Sequence, residues 1–153
     1  MKYYLLLLIA TLLLFFTFDA NAQKMNNKRM GKILNQVAKI TDGQAGYWEI
    51  TYEGIEMVVI TDENHNRMRI ITPLAYINEL GEEVFEEVLE ANFHTALDVK
   101  YAISDDIMWT VFIHPLKELS TDEFKDGLKQ VYYATVTFGT TYSSTDLVFP
   151  AVE

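Results

Sequence analysis

His65, His94 and His114 are the side chains of this 153-residue chain best suited to proton transfer or metal binding near neutral pH, and their spacing equips them for neither. His65 falls in a polar turn over 62–66, His94 near the end of a helix and His114 at the end of a strand, so no pair shows the spacing of a metal-binding helix or a zinc motif. His94 and Asp98 are four apart and would share a helix face, but a strand begins at Val99, which leaves an ordinary surface pair. Glu82, Glu83, Glu86, Glu87 and Glu90 could attract a hard cation. They lack the alternating Asp and Asn with Gly of a calcium loop and read as a solvated face. With no Cys, no Gly-x-Ser-x-Gly elbow and no Gly-rich phosphate loop, the chain offers no activated nucleophile or phosphate cradle. The crowded Ser and Thr residues over 140–145 read as an exposed loop. The expectation is a protein that is not an enzyme and needs no cofactor or metal.

Composition points the same way. A hydrophobic content of 50% and an aromatic content of 13% are those of a packed globule. A net charge of −10 repels phosphates, which argues against nucleic acid or anionic lipid as a partner. Lys24, Lys28, Arg29 and Lys32 read as solvated charge on a helix. The first 22 residues carry the most specific signal in the chain: Lys2, an apolar run from Tyr3 to Phe18 broken only by Thr11 and Thr17, then Ala20-Asn21-Ala22. The run falls short of the ~20 residues a membrane-spanning helix needs. The whole reads as a secretory signal peptide over 1–22, cleaved after Ala22 to leave a single domain over 23–153 without stable membrane insertion. Export to the periplasm or the outside medium follows.

The remaining periodicities give the scaffold. Met30, Ile33, Leu34 and Val37 predict a helix over 25–40, stopped by Asp42-Gly43. Strands follow over 47–52, 55–61 and 67–72, the last ended near Pro73. Val84, Phe85, Val88, Leu89, Asn92 and Phe93 share one face of a second helix over 79–95. Two strands, 99–103 and 107–113, turn at Asp105-Asp106. Ser120-Thr121-Asp122-Glu123 is a capping box flanked by Leu119 and Phe124 at the staple positions, opening a helix with a stripe of Phe124, Leu128, Val131 and Tyr132 and Gly139 as its terminator. The fold class is α+β: a single antiparallel five-stranded sheet with three helices in the order αβββαββα.

This succession, together with Asn66-Arg67-Met68-Arg69-Ile70, Leu89-Glu90-Ala91-Asn92-Phe93 and Phe138-Gly139, resembles the type III secretion chaperone-like fold, in particular its bacterial YbjN-type members. The resemblance covers most of 25–149. It implies a small acidic protein, often a homodimer, that binds extended segments of other proteins without catalysis. Secretion chaperones of that type work in the cytoplasm, so an exported chain cannot inherit their partners.

An interaction surface also follows from the residues themselves. The two most central strands are apolar on both sides: Val58 and Ile60 against Met57 and Val59, Met108 and Phe112 against Trp109 and Val111. Taking Trp48, Ile50, Trp109 and Val111 as the core row gathers Val58, Ile60, Ile71, Met108 and Phe112 on the second face. Arg69, Glu49, Glu56, Arg67, Lys100 and His114 form its rim. Such a face needs a cover, which the second helix of the chain, a partner subunit or a bound protein segment would each supply. The expected function is an exported protein-binding or chaperone-like module, a homodimer that also takes an extended protein segment. The alternative is a small-molecule or lipid carrier with a cavity between sheet and helices.

Overall fold

The computed structural model describes residues 24–147. The segment 1–22 with its cleavage triplet lies outside them. In chain order the elements are α1 (Asn27–Val37), β1 (Lys39–Gln44), β2 (Tyr47–Tyr52), β3 (Ile55–Asp62), β4 (Arg67–Tyr76), a 3-10 turn (Ile77–Glu79), α2 (Glu82–His94), β5 (Val99–Ser104), β6 (Ile107–His114) and α3 (Thr121–Val136). The strands form one antiparallel sheet in the order β1-β2-β3-β4-β6-β5. The α+β class and three helices are present among the described residues, but the sheet has six strands rather than five and the order is αββββαββα.

The additional strand comes from the end of the expected first helix. Asn26 caps α1 by accepting the Arg29 N–H at 2.9 Å, and Met30, Ile33 and Leu34 are buried as their spacing predicts. The helix stops at Val37 and the chain extends as β1, where Ile40 pairs with Ile50 and packs on the core. A two-residue turn at Ala45-Gly46 sets Gln44 opposite Tyr47, and Gly46 adopts a φ of +103° that only glycine takes without cost. Lys39–Gln44 holds a single apolar residue and a bulge between Ile40 and Asp42, so no alternation marks it as a strand. β4 likewise runs past Pro73 to Tyr76, because a bulge between Pro73 and Ala75 absorbs the missing donor.

α3 begins as its capping box dictates. Ser120 Oγ accepts the Glu123 N–H at 3.1 Å, the Glu123 carboxylate accepts the Ser120 N–H at 2.7 Å, and Leu119 and Phe124 are both buried. These bonds hold the Glu123 carboxyl below its ordinary pKa. Phe124, Leu128 and Val131 line the core, with Tyr132 half-buried at its margin. Gly127 lets the helix lie against the sheet, since a Cβ there would sit 2.9 Å from the Phe112 ring. Beyond α3 the segment over 140–145 is not the exposed loop expected. It folds back: Tyr142 and Ser144 are buried, the Ser144 N–H donates to Thr95 O, and the Tyr142 hydroxyl donates to Glu87 at 2.7 Å.

α2 is shorter than predicted and turned differently. Val88 and Ala91 are its buried residues, whereas Leu89 and Phe93, expected in the buried stripe, are 68% and 64% exposed. α2 packs at the β5 edge of the sheet. There the Asn92 side chain accepts the Tyr101 N–H at 2.7 Å and donates to Tyr101 O at 3.1 Å, standing in for one peptide unit of a neighbouring strand.

Candidate protein-binding surface

Strand pairing assigns each sheet residue to a face. Trp48, Ile50, Met57, Val59, Met68, Ile70, Val99, Tyr101, Met108 and Phe112 point toward the helices and form the core with Met30, Leu34, Phe124, Leu128 and Val131. Gly31 of α1 lies against the Trp48 indole and Gly127 of α3 against the Phe112 ring. Helices α1 and α3 therefore cover this one face, and the space beneath them is filled by buried side chains.

The opposite face is left open among the described residues. Pairing draws one row straight across all six strands: Asp42, Glu49, Val58, Ile71, Val111, Lys100. A second row runs Gln44, Tyr47, Ile60, Arg69, Ile113. Val58, Ile60, Ile71, Trp109 and Val111 are only half-buried, and Ile113 is 56% exposed. The Trp109 Nε1–H donates to Ser104 O at 3.1 Å, which pins the indole across the β5–β6 hairpin. An apolar centre of this kind within a charged margin has the composition of an interaction site.

Of the residues expected on this face, Val58, Ile60, Arg69 and Ile71 lie there. Met108 and Phe112 do not: they are 1% and 4% exposed and belong to the core beneath α3, while Trp109 and Val111, read as core, occupy the open face. Because β6 is apolar on both sides, its own alternation cannot set its phase. The hairpin could have. Asp105 and Asp106 both take positive φ, 52° and 60°, as a two-residue turn requires, and that turn pairs Ser104 with Ile107. It follows that Val99 and Tyr101 face the same side as Phe112 and Thr110. His114 also leaves the expected rim, since its ring stacks on Phe112 with centroids 6.2 Å apart on the core side.

The charged margin is uneven. Asp42, Glu49 and Glu56 lie on the β1 to β3 side, Arg67, Arg69 and Lys100 on the β4 to β5 side, with Lys39 at a far corner as the exception. The Tyr47 hydroxyl donates to Glu49 at 3.0 Å, and this bond to a carboxylate raises its pKa. The Lys100 ammonium donates to Asn92 O at 2.9 Å and to Leu97 O. Partial burial lowers its pKa, and Asp98 opposes that shift. Those two bonds leave the third ammonium proton for another acceptor.

The residues weighed for chemistry do not converge. Asp98 and His114 line one cleft of about 420 Å³ with Lys100, Glu123 and Asp126, while His94 lines a separate hollow with Glu87, Glu90 and Tyr142. His65 is exposed and pairs with Asp62 at 2.6 Å. Among the described residues no group of three or more His, Asp or Glu side chains is placed to hold a metal ion. No described helix is long and apolar enough to cross a membrane.

Comparison with known proteins finds no matching family model and no matching curated protein. Among solved structures the chain is similar in fold to the Yersinia pestis type III secretion chaperone SycH in complex with a stable fragment of YscM2, with a TM-score of 0.55 and 10% identity over 74% of this chain and 98% of that one. It is also similar to the heterodimeric ExoU–SpcU complex from the type III secretion system of Pseudomonas aeruginosa, with a TM-score of 0.57 and 14% identity over 69% and 90% of the two chains. A third likeness is to the HopA1–SchA chaperone–effector complex, with a TM-score of 0.55 and 9% identity over 70% and 87%. At such identities the likeness establishes a secretion-chaperone-like fold.

Proposed function

We propose that this chain is an exported, non-enzymatic, chaperone-like protein-binding module, akin to the YbjN-type proteins, whose binding surface is the open face of its sheet. The observation that carries this reading is the partly exposed aliphatic and indole surface of Val58, Ile60, Ile71, Trp109, Val111 and Ile113, on the sheet face opposite α1 and α3. Two of the structural neighbours, a secretion chaperone in complex with a fragment of a second protein and a chaperone–effector complex, support a protein as the partner. The carrier alternative has less behind it: Met57, Ile70, Met108, Phe124 and Leu128 fill the space between sheet and helices, so a lipid there would have to lift α3 from the sheet.

The test is binding of a permanently unfolded, fluorescently labelled polypeptide to the mature protein. Ile71→Glu places a carboxylate at the centre of the open face, where docking would bury it unpaired, and should abolish binding while circular dichroism and thermal unfolding stay close to wild type. Unchanged binding would refute the assignment. Export is tested separately, by the intact mass of the protein recovered from outside the cytoplasm, which should begin at Gln23.

A further inference from the structure

We infer that the outer side of α3 carries a binding groove for a neutral oligosaccharide, separate from the open sheet face. Asp126, Lys129 and Tyr133 follow one another at helical spacing and so share one face of α3, which Thr137 continues at the C-terminal cap. The segment 141–146 folds back beside this face and leaves a cleft of about 430 Å³, lined also by Thr141, Ser144 and Asp146. That second wall is tied in place by the protein itself. The Ser143 N–H donates to Thr137 Oγ1 at 2.9 Å, the Thr95 hydroxyl donates to Tyr142 O at 2.8 Å, and the Ser144 N–H donates to Thr95 O at 3.1 Å. A further hollow of about 340 Å³, lined by Tyr52, Glu53 and Tyr132, shares Lys129 and Tyr133 with the first. The two meet at these side chains, and each falls within the ~300–1,000 Å³ typical of small-molecule sites.

The lining selects the ligand. Tyr133 is 50% exposed, and edge-on contacts between Tyr133 and Tyr132 at 5.2 Å and between Tyr132 and Tyr52 at 6.3 Å brace a line of three phenol rings. Such rings offer an apolar face to the C–H side of a pyranose and a polar tip to its hydroxyls. Around them stand groups with unused hydrogen-bonding capacity. Among the described residues the Lys129 ammonium, the Thr141 and Tyr133 hydroxyls and the Asp146 carboxylate make no hydrogen bond. Asp126 is oriented by Gln130, itself 1% exposed, whose Nε2–H donates to one carboxylate oxygen at 2.7 Å and leaves the other open. Ser144 is 1% exposed and its Oγ has no partner, an exception among buried polar groups that a ligand hydroxyl would resolve. Every sugar hydroxyl both donates and accepts, so it can use ammonium, hydroxyl and carboxylate together. A proline-rich segment would also suit tyrosines, but it brings carbonyl acceptors and few donors for Asp126 and Asp146. The carboxylates of Glu53, Asp126 and Asp146 outnumber the single ammonium and disfavour an acidic sugar. Two joined hollows call for a ligand of at least two rings.

The experiment is calorimetric titration of the mature protein with cellotetraose, chitotetraose, mannotetraose and maltotetraose, followed in parallel by amide correlation spectra, with tetragalacturonate and decaproline as controls. At least one neutral tetrasaccharide is expected to bind and to shift the amide signals of Lys129, Tyr133, Thr141 and Ser144. Tyr133→Ala should weaken that binding about tenfold or more, because it removes the ring shared by both hollows. Ser144→Ala should weaken it several-fold while Tm stays equal or rises, because the hydroxyl makes no bond in the free fold. A purely structural Ser144 would instead lower Tm and leave affinity unchanged, which counts against the inference. Ile71→Glu should bind sugar as the wild type does, so the outcome is independent of the open sheet face. The inference is overturned if no neutral tetrasaccharide shifts those signals at millimolar concentration, if Tyr133→Ala binds as tightly as wild type, or if only decaproline or tetragalacturonate binds.

Discussion

Phe112 and Val111 are neighbours in β6 that point to opposite faces, so truncating each to alanine weighs the two faces against each other. Phe112 is 4% exposed, pairs with Ile70 and Val99, stacks on His114 and supports α3 where Gly127 approaches its ring. Removing a fully packed phenyl ring costs about 3–5 kcal/mol, a large part of the ~5–15 kcal/mol that stabilises a domain of this size. Val111 is half-buried on the open face. A fully buried valine gains ~1.5–3 kcal/mol, so its truncation should cost only about 0.5–1 kcal/mol. At roughly 3–5 °C per kcal/mol, Phe112→Ala should lower Tm by roughly 10–20 °C and Val111→Ala by a few degrees. Urea unfolding followed by tryptophan fluorescence gives both values on one scale. Equal losses, or a greater loss for Val111→Ala, would mean that β6 presents its other row to the core and would refute the assignment of faces.

Ser120→Ala should cost about 1 kcal/mol in urea unfolding, because it leaves the Glu123 N–H uncapped. Gly127→Ala, although it favours the helix, should destabilise by about 1–3 kcal/mol, because the added methyl meets the Phe112 ring; a stabilised variant would contradict the close approach. Glu123 has a depressed folded-state pKa, so its contribution is present above the ordinary value of 4.5 and is lost as pH falls through the folded value; Glu123→Gln should flatten the loss of urea stability between about pH 5 and pH 3. Asn92→Ala should unpair both backbone groups of Tyr101 at the β5 edge, costing about 1–3 kcal/mol and raising aggregation measured by light scattering.

Much of this architecture was legible in the sequence because local chemistry agreed with the final packing. The capping box of α3, the stripe of Met30, Ile33 and Leu34 and the Asp105-Asp106 turn each survive in the fold. What escaped were features whose cause is tertiary. β1 is held by pairing with β2 rather than by its own polar sequence, and Leu89 and Phe93 match the helical period yet face outward because α2 meets only the sheet edge. The candidate surface was half legible: Val58, Ile60, Arg69 and Ile71 were placed by β3 and β4, which alternate in step, whereas a strand apolar on both sides needed its hairpin register to decide between Phe112 and Val111.

Trp109 lies on the open face and Trp48 in the core, which makes a single indole the most direct reporter of binding. In a Trp48→Phe background, iodide quenching of Trp109 can be followed as an unlabelled unfolded polypeptide is titrated in. If the open face binds protein, Trp109 emission shifts to the blue and its quenching falls in step with saturation. A Trp109 that stays equally quenchable while the polypeptide binds to saturation would place the binding site elsewhere on the molecule.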